Sequence, residues 1–131
     1  MIINVNTIII IIDNIERKDY FEIMTKPTQL LYHGTSFDNS SLIEEQGLLP
    51  KNHNKVYLTT DVRVAYNYAK LKTDKPVICI VDAIQMVKDG FTFEHDNTYA
   101  EWTTDNVPSR YLIQVMIESE DDLSMLSMCV S

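Results

Sequence analysis

Leu31-Tyr32-His33-Gly34-Thr35-Ser36 and, one short helix later, Lys55-Val56-Tyr57-Leu58-Thr59-Thr60-Asp61 are the two stretches on which the reading turns. In the first, residues 29–33 read as a strand that runs into Gly34, so an imidazole stands beside a residue with no Cβ. A glycine there lets a ligand approach the main chain closely, and its N–H and C=O can pair with a carboxamide. His33 is then placed to hydrogen-bond a sugar hydroxyl. In the second stretch side chains alternate across the strand, so Tyr57 and Thr59 share a face opposite Val56 and Leu58. An aromatic ring on a pocket-facing strand can stack on a planar heterocycle. Taken singly, the first motif reads rather as a core histidine before a turn glycine, and the second as a common packed tyrosine.

The surrounding sequence supplies a frame. Ser41-Leu42-Ile43-Glu44 matches a capping box, with Ser41 as N-cap and Glu44 reaching back. The helix it opens should stop at Gly47, with Pro50 beyond. Thr60 or Asp61 caps a second helix whose Val62, Ala65 and Ala69 form one apolar face. Val77 to Val81 is a continuous β-branched run, the pattern of a strand buried on both faces. Asp89-Gly90 marks a turn before Phe91-Thr92-Phe93, and Pro108 precedes a final strand from Tyr111 to Ile117. Glu118 to Asp122 reads as a solvated acidic tail. The expected fold is α+β, richer in strands than in helices.

The 131 residues suffice for one domain with a real core. Residues 1–23 are set apart as an N-terminal strand or extension and 24–131 as the domain, with Met24 an alternative start. The isoleucine run at 8–12 is too short to span a membrane and favours a strand; no signal-peptide pattern surrounds it. A formal net charge of −8 and a pI near 4.7 argue against passive nucleic-acid binding, which rests on many Lys and Arg contacts to phosphates. Cys79 and Cys129 have no metal-binding spacing, so no metal site is expected, and Cys79 reads as a small buried thiol. These features together fit a cytoplasmic protein with no membrane partner.

Tyr-His-Gly-Thr, a short helix ending in Gly47-Leu48, Val-Tyr-Leu-Thr and an alanine-containing helix together resemble the ADP-ribosyltransferase superfamily, specifically the rifamycin-modifying enzymes. Phe93-Glu94-His95-Asp96-Asn97 falls where that group has a Phe-Glu-Asp-Asp-Pro-Asn segment with its catalytic aspartate, although the proline is absent here. The second half, from Val81-Asp82-Ala83 through Val107-Pro108-Ser109-Arg110-Tyr111-Leu112, is similar to the C-terminal lobe of the RNA 2′-phosphotransferases. The likeness covers residues 29 to 114 or so. The basic N-terminal lobe of those enzymes has no counterpart here, and their Arg-Ser-x-Asn position reads Glu94-His95-Asp96-Asn97.

The resemblance implies a small ADP-ribosyltransferase-like split β-sheet with short flanking helices, and NAD as co-substrate. It places His33, Gly34, Thr35, Tyr57 and Tyr68 around the NAD, with Tyr66 and Tyr68 also readable as packing or surface residues. The catalytic set is His33, Tyr57 and an acid, since a carboxylate near the ribose stabilises positive charge as the nicotinamide bond breaks. Asp96 is the first candidate by family match. Glu101 is the second, on the argument that Trp102 beside it lowers the local dielectric; Glu94 is the third.

Three functions follow in order. The first is an ADP-ribosyltransferase of bacterial or phage type, releasing nicotinamide and modifying a protein, nucleic acid or small molecule. The second is a non-catalytic nucleotide- or protein-binding module. RNA 2′-phosphate transfer is third, because of the acidic balance and the missing arginines.

Overall fold

The alternating apolar stretches assemble as strands of one mixed sheet. In the computed structural model, which describes residues 2–8, 27, 29–50, 54–96 and 101–130, seven strands lie in the order β1-β7-β4-β2-β3-β6-β5. They are β1 (Ile2–Ile3), β2 (Leu31–Ser36), β3 (Val56–Thr59), β4 (Pro76–Val81), β5 (Glu94–Asp96), β6 (Glu101–Thr104) and β7 (Leu112–Met116). Flanking them among the described residues are α1 (Ser40–Gln46), α2 (Val62–Lys72), α3 (Ala83–Lys88) and α4 (Glu120–Val130). The expected α+β class is what forms. No helix among the described residues is long and apolar enough to cross a membrane.

β4 lies inside the sheet, between β7 and β2, and is buried along its whole length, as its apolar run requires. On one face, α2 and α4 cover Leu30, Tyr32, Ile78, Ile80 and Val115. On the other, Ile43 of α1 and Ala83 and Met86 of α3 join Leu31, Leu58, Cys79 and Val81. Burial pushes the Cys79 thiol up to about 12, so it packs as a small apolar group. Gln114 of β7 donates from Nε2 to the Ser40 carbonyl at 2.9 Å and fixes the start of α1 across the sheet.

Several boundaries differ from expectation. β2 begins at Leu31 and continues through Ser36, past the expected stop at Gly34. The capping box at Ser41 is absent: α1 starts two residues earlier, behind Asn39 as N-cap, with no side-chain cap. A 3-10 turn over Phe37–Asn39 takes that place, closed by Ser40 Oγ donating to the Phe37 carbonyl at 2.8 Å. Gly47 does end the helix, at φ 74°. Asp61 caps α2 by accepting from the Arg63 N–H at 2.9 Å, and Val62, Ala65 and Ala69 are buried as the periodicity requires.

The acidic tail proved to be the start of α4. Ser119 Oγ accepts from the Asp122 N–H, and the Asp122 carboxylate accepts from the Glu118 N–H. This is a reciprocal capping arrangement that places acids where the helix dipole favours them. Leu123 and Leu126 then anchor the helix in the core. Of the isoleucine run only Ile8 is described, and residues 5–8 are helical, not extended; the rest of the run, Arg17, Met24, His53 and Asn97 lie outside the described residues.

Gly34 sits directly under α2. A Cβ there would meet the Ala65 carbonyl oxygen at 1.9 Å and the Ala69 Cβ at 3.2 Å. The glycine and two alanines together let helix and strand approach this closely. Gly34→Ala should therefore cost at least about 3 kcal/mol through overpacking. At Gly90, with φ +101° and nothing within 4 Å, alanine should cost about 1–2 kcal/mol of backbone strain alone. Urea unfolding of the two variants checks the order; equal losses would contradict the close packing at Gly34.

A polar network secures the start of β7. The Tyr111 hydroxyl donates to Asp89 Oδ2 at 2.6 Å, Gln85 Nε2 donates to Oδ1 at 3.0 Å, and the Arg110 guanidinium lies 4.5 Å over the Tyr111 ring. The Tyr111 bond, then the Gln85 bond, hold the Asp89 carboxyl below its usual range, with Arg110 adding to the effect. A carboxyl depressed in the folded state contributes stability above its unfolded value, and this is lost as pH falls through the folded value. Stability curves of wild type and Asp89→Asn should thus converge as pH drops from 7 to below roughly 4. A gap that stays constant with pH would contradict this assignment.

Candidate functional site at the sheet seam

β2 is bonded along its length to β4 but to β3 at a single register position, Tyr32↔Thr59. The Phe37 N–H donates to the Lys75 carbonyl at 3.0 Å, which fixes the alternation of the antiparallel ladder. His33 and Thr35 turn their main-chain groups to β4, whereas Tyr32 and Gly34 turn theirs toward β3. The next bonded pair would be Gly34 with Tyr57, and the ladder does not extend to it. Instead His33 Nδ1 lies 3.1 Å from the Tyr57 carbonyl. A carbonyl can only accept, so Nδ1 carries the proton.

The seam thus joins the two residues that the sequence singled out, by side chain to main chain. The glycine's role differs from expectation. Its missing Cβ accommodates α2, so a ligand would not use that side; its N–H and C=O point instead to the seam. Thr35 is buried and its hydroxyl accepts from Asn39 Nδ2 at 3.4 Å. Tyr66 packs in the core, while Tyr68 is 54% exposed on α2.

Beyond the seam, the register across β3, β6 and β5 pairs Tyr57 with Thr103 and Thr59 with Glu101, then Glu94 with Thr103 and Asp96 with Glu101. Tyr57, Thr59, Glu94, Glu101 and Thr103 consequently share one face. Val56, Leu58, Trp102 and Thr104 take the other, where Trp102 packs against the core and meets His95 edge-on at 4.8 Å. The dielectric argument for Glu101 fails on this geometry. Neighbours along a strand point to opposite faces, so the Trp102 ring lies across the sheet from the Glu101 carboxylate. For Asp96 only the strand position is described, opposite Glu101.

Lys55 and Asp105 extend the same polar face, joined by an ion pair of 2.8 Å. Their alternation with Val56 and Thr104 was legible in the sequence, although the pairing of β3 with β6 was not. Among the described residues no cluster of three or more His, Cys, Asp and Glu could hold a metal ion.

Comparison with known proteins bears on the same region. Residues 5–100 match the model of the RNA 2′-phosphotransferase, Tpt1/KptA family. Similar proteins, each named "Probable RNA 2′-phosphotransferase", include one from Acetivibrio thermocellus, 36% identical over 86 residues, or 66% of this chain and 47% of the relative. One from Lacticaseibacillus paracasei is 35% identical over 88 residues, 67% and 46% of the two chains. One from Streptomyces coelicolor is 38% identical over 86 residues, 66% and 46% of the two. The chain spans about half the length of the curated relatives it matches.

These matches favour the second of the two resemblances over the rifamycin-modifying enzymes. They also run against the expectation, drawn from the acidic balance, of no passive nucleic-acid binding, because the relatives are named for action on RNA. Net charge describes the whole surface, whereas the capture of one phosphate depends on the few groups that face it. By the extent of the family match, this chain belongs to the RNA 2′-phosphotransferase, Tpt1/KptA family.

Proposed function

We propose that this chain is the NAD-using lobe of an enzyme that removes a 2′-phosphate from RNA, with NAD as phosphate acceptor and nicotinamide released. This places the third of the three sequence readings ahead of general ADP-ribosyl transfer and of a silent binding module. The observation that carries it is the open seam between Gly34 and Tyr57 in a chain of this family.

The residues at the seam fit such a co-substrate. The Gly34 N–H and C=O form a donor–acceptor pair complementary to a carboxamide. The Tyr57 ring, at the edge of the polar face, offers a stacking surface for the pyridine. His33, by donating to the Tyr57 carbonyl, fixes the spacing between the two strands that flank the ring. When bound, NAD supplies an electrophilic ribose carbon. Positive charge grows on that sugar as the C–N bond breaks, and a nearby carboxylate stabilises it. We take Glu101 ahead of Asp96 for that role, because its row on the sheet runs through Thr59 to the seam. A phosphate monoester already carries negative oxygen, so the acceptor side needs positioning more than it needs a base.

Two measurements test this reading. Isothermal titration should show NAD binding that weakens about tenfold in Tyr57→Ala, the scale of one lost stacking contact. A short RNA with an internal 2′-phosphate should lose it in the presence of NAD, with nicotinamide released, and Glu101→Gln should slow that release. NAD binding with no loss of the 2′-phosphate would return the chain to the binding-module reading. No NAD binding would remove the proposal altogether.

A further inference from the structure

We propose that Lys55 is the cation that receives the phosphate, held beside the seam by Asp105 until the phosphate displaces that carboxylate. This rests on the phosphotransfer reading above and names the group that would recognise its substrate.

Lys55 directly precedes β3, and the alternation of the strand puts its side chain on Tyr57's face, roughly 7 Å along the chain. The same alternation sets Asp105 next to it across β6, and Lys55 Nζ lies 2.8 Å from Asp105 Oδ1. Other described basic residues lie elsewhere in the fold. Arg63 donates to Ser124 Oγ, Arg110 covers Tyr111, and Lys75 lies over the Phe37 ring at 6.0 Å. Lys70 and Lys72 belong to the last turn of α2 and Lys88 to that of α3.

The pair itself points to exchange. The lysine side chain is 33% exposed and its aspartate 78%. An ion pair this open adds little to folding, so it is a weak tether. A phosphate monoester brings a charge of about −1.5 to −2 and three strong acceptor oxygens, which lets it compete for the ammonium with a single exposed carboxylate. Asp105, then Glu94, also hold the Lys55 ammonium above its usual value, so the cation stays charged at neutral pH. Without a phosphate, Asp105 holds the ammonium; with one, Asp105 is released to solvent.

The test compares binding of a fluorescently labelled short RNA carrying an internal 2′-phosphate with its dephosphorylated twin. Wild type should prefer the phosphorylated RNA. Lys55→Gln should reduce that preference about tenfold, the scale of one charge-assisted contact, and Lys55→Arg should restore part of it. Asp105→Asn should strengthen the preference by removing the competitor, and the double variant should behave as Lys55→Gln does. A purely structural ion pair predicts the opposite for Asp105→Asn, which would then weaken binding as the lysine variant does; that result overturns the inference. So does an unchanged preference in Lys55→Gln, or no preference in wild type. NAD titration of the same wild-type sample separates the two layers: NAD binding without phosphate preference sinks the Lys55 assignment alone, whereas absent NAD binding sinks the functional reading.

Discussion

One backbone pairing, Tyr32 with Thr59, joins the two halves of this sheet through β2 and β3. Everything proposed for the molecule depends on the ladder stopping there. Had it continued to Gly34 and Tyr57, their main-chain groups would satisfy each other and the seam would be ordinary sheet. His33 Nδ1 instead takes the Tyr57 carbonyl, so the strands stay linked while the glycine's peptide groups face the gap. A side chain substituting for a ladder bond is an economical way to open a sheet without leaving a buried carbonyl unsatisfied.

Around that seam the halves are built differently. The larger, β1-β7-β4-β2, is covered on both faces, and α2 presses onto β2 until only glycine fits. The smaller, β3-β6-β5, packs an apolar face against α1, α3 and their connections, and turns a polar face the other way. Its acids and its lysine lie on that second face because the strands alternate, so the fold's own packing rule concentrates ionisable groups beside the gap. The rigid wall and the polar wall meet at Tyr57.

Much of this was legible in the residues. The Val56–Thr59 alternation, the fully apolar β4, the α2 face and the stop at Gly47 are all local patterns, and they formed as the sequence indicates. Other features are not local. No periodicity announces that β3 pairs with β6, so the common face of Tyr57, Glu94 and Glu101 could not be derived, and Trp102 was placed beside a carboxylate from which the strand separates it. The last helix was hidden because its acidic first turn resembles a solvated tail; the Ser119-x-x-Asp122 spacing was the available signal. At Gly34 the space of the missing Cβ is filled by α2, and a close helix and a close ligand leave the same mark in a sequence. The expectation of no passive nucleic-acid binding averaged charge over the whole surface, whereas the relatives' names point to RNA, whose capture depends on the few groups that face a phosphate.

The most direct measurement of the central claim is a backbone amide NMR titration with NAD. The largest shifts are expected on Gly34, Tyr57 and Thr59, the amides that border the seam, with little change near Arg110 to Ile113 at the opposite end of β2. Shifts concentrated anywhere but the seam, or none at saturating NAD, would contradict it.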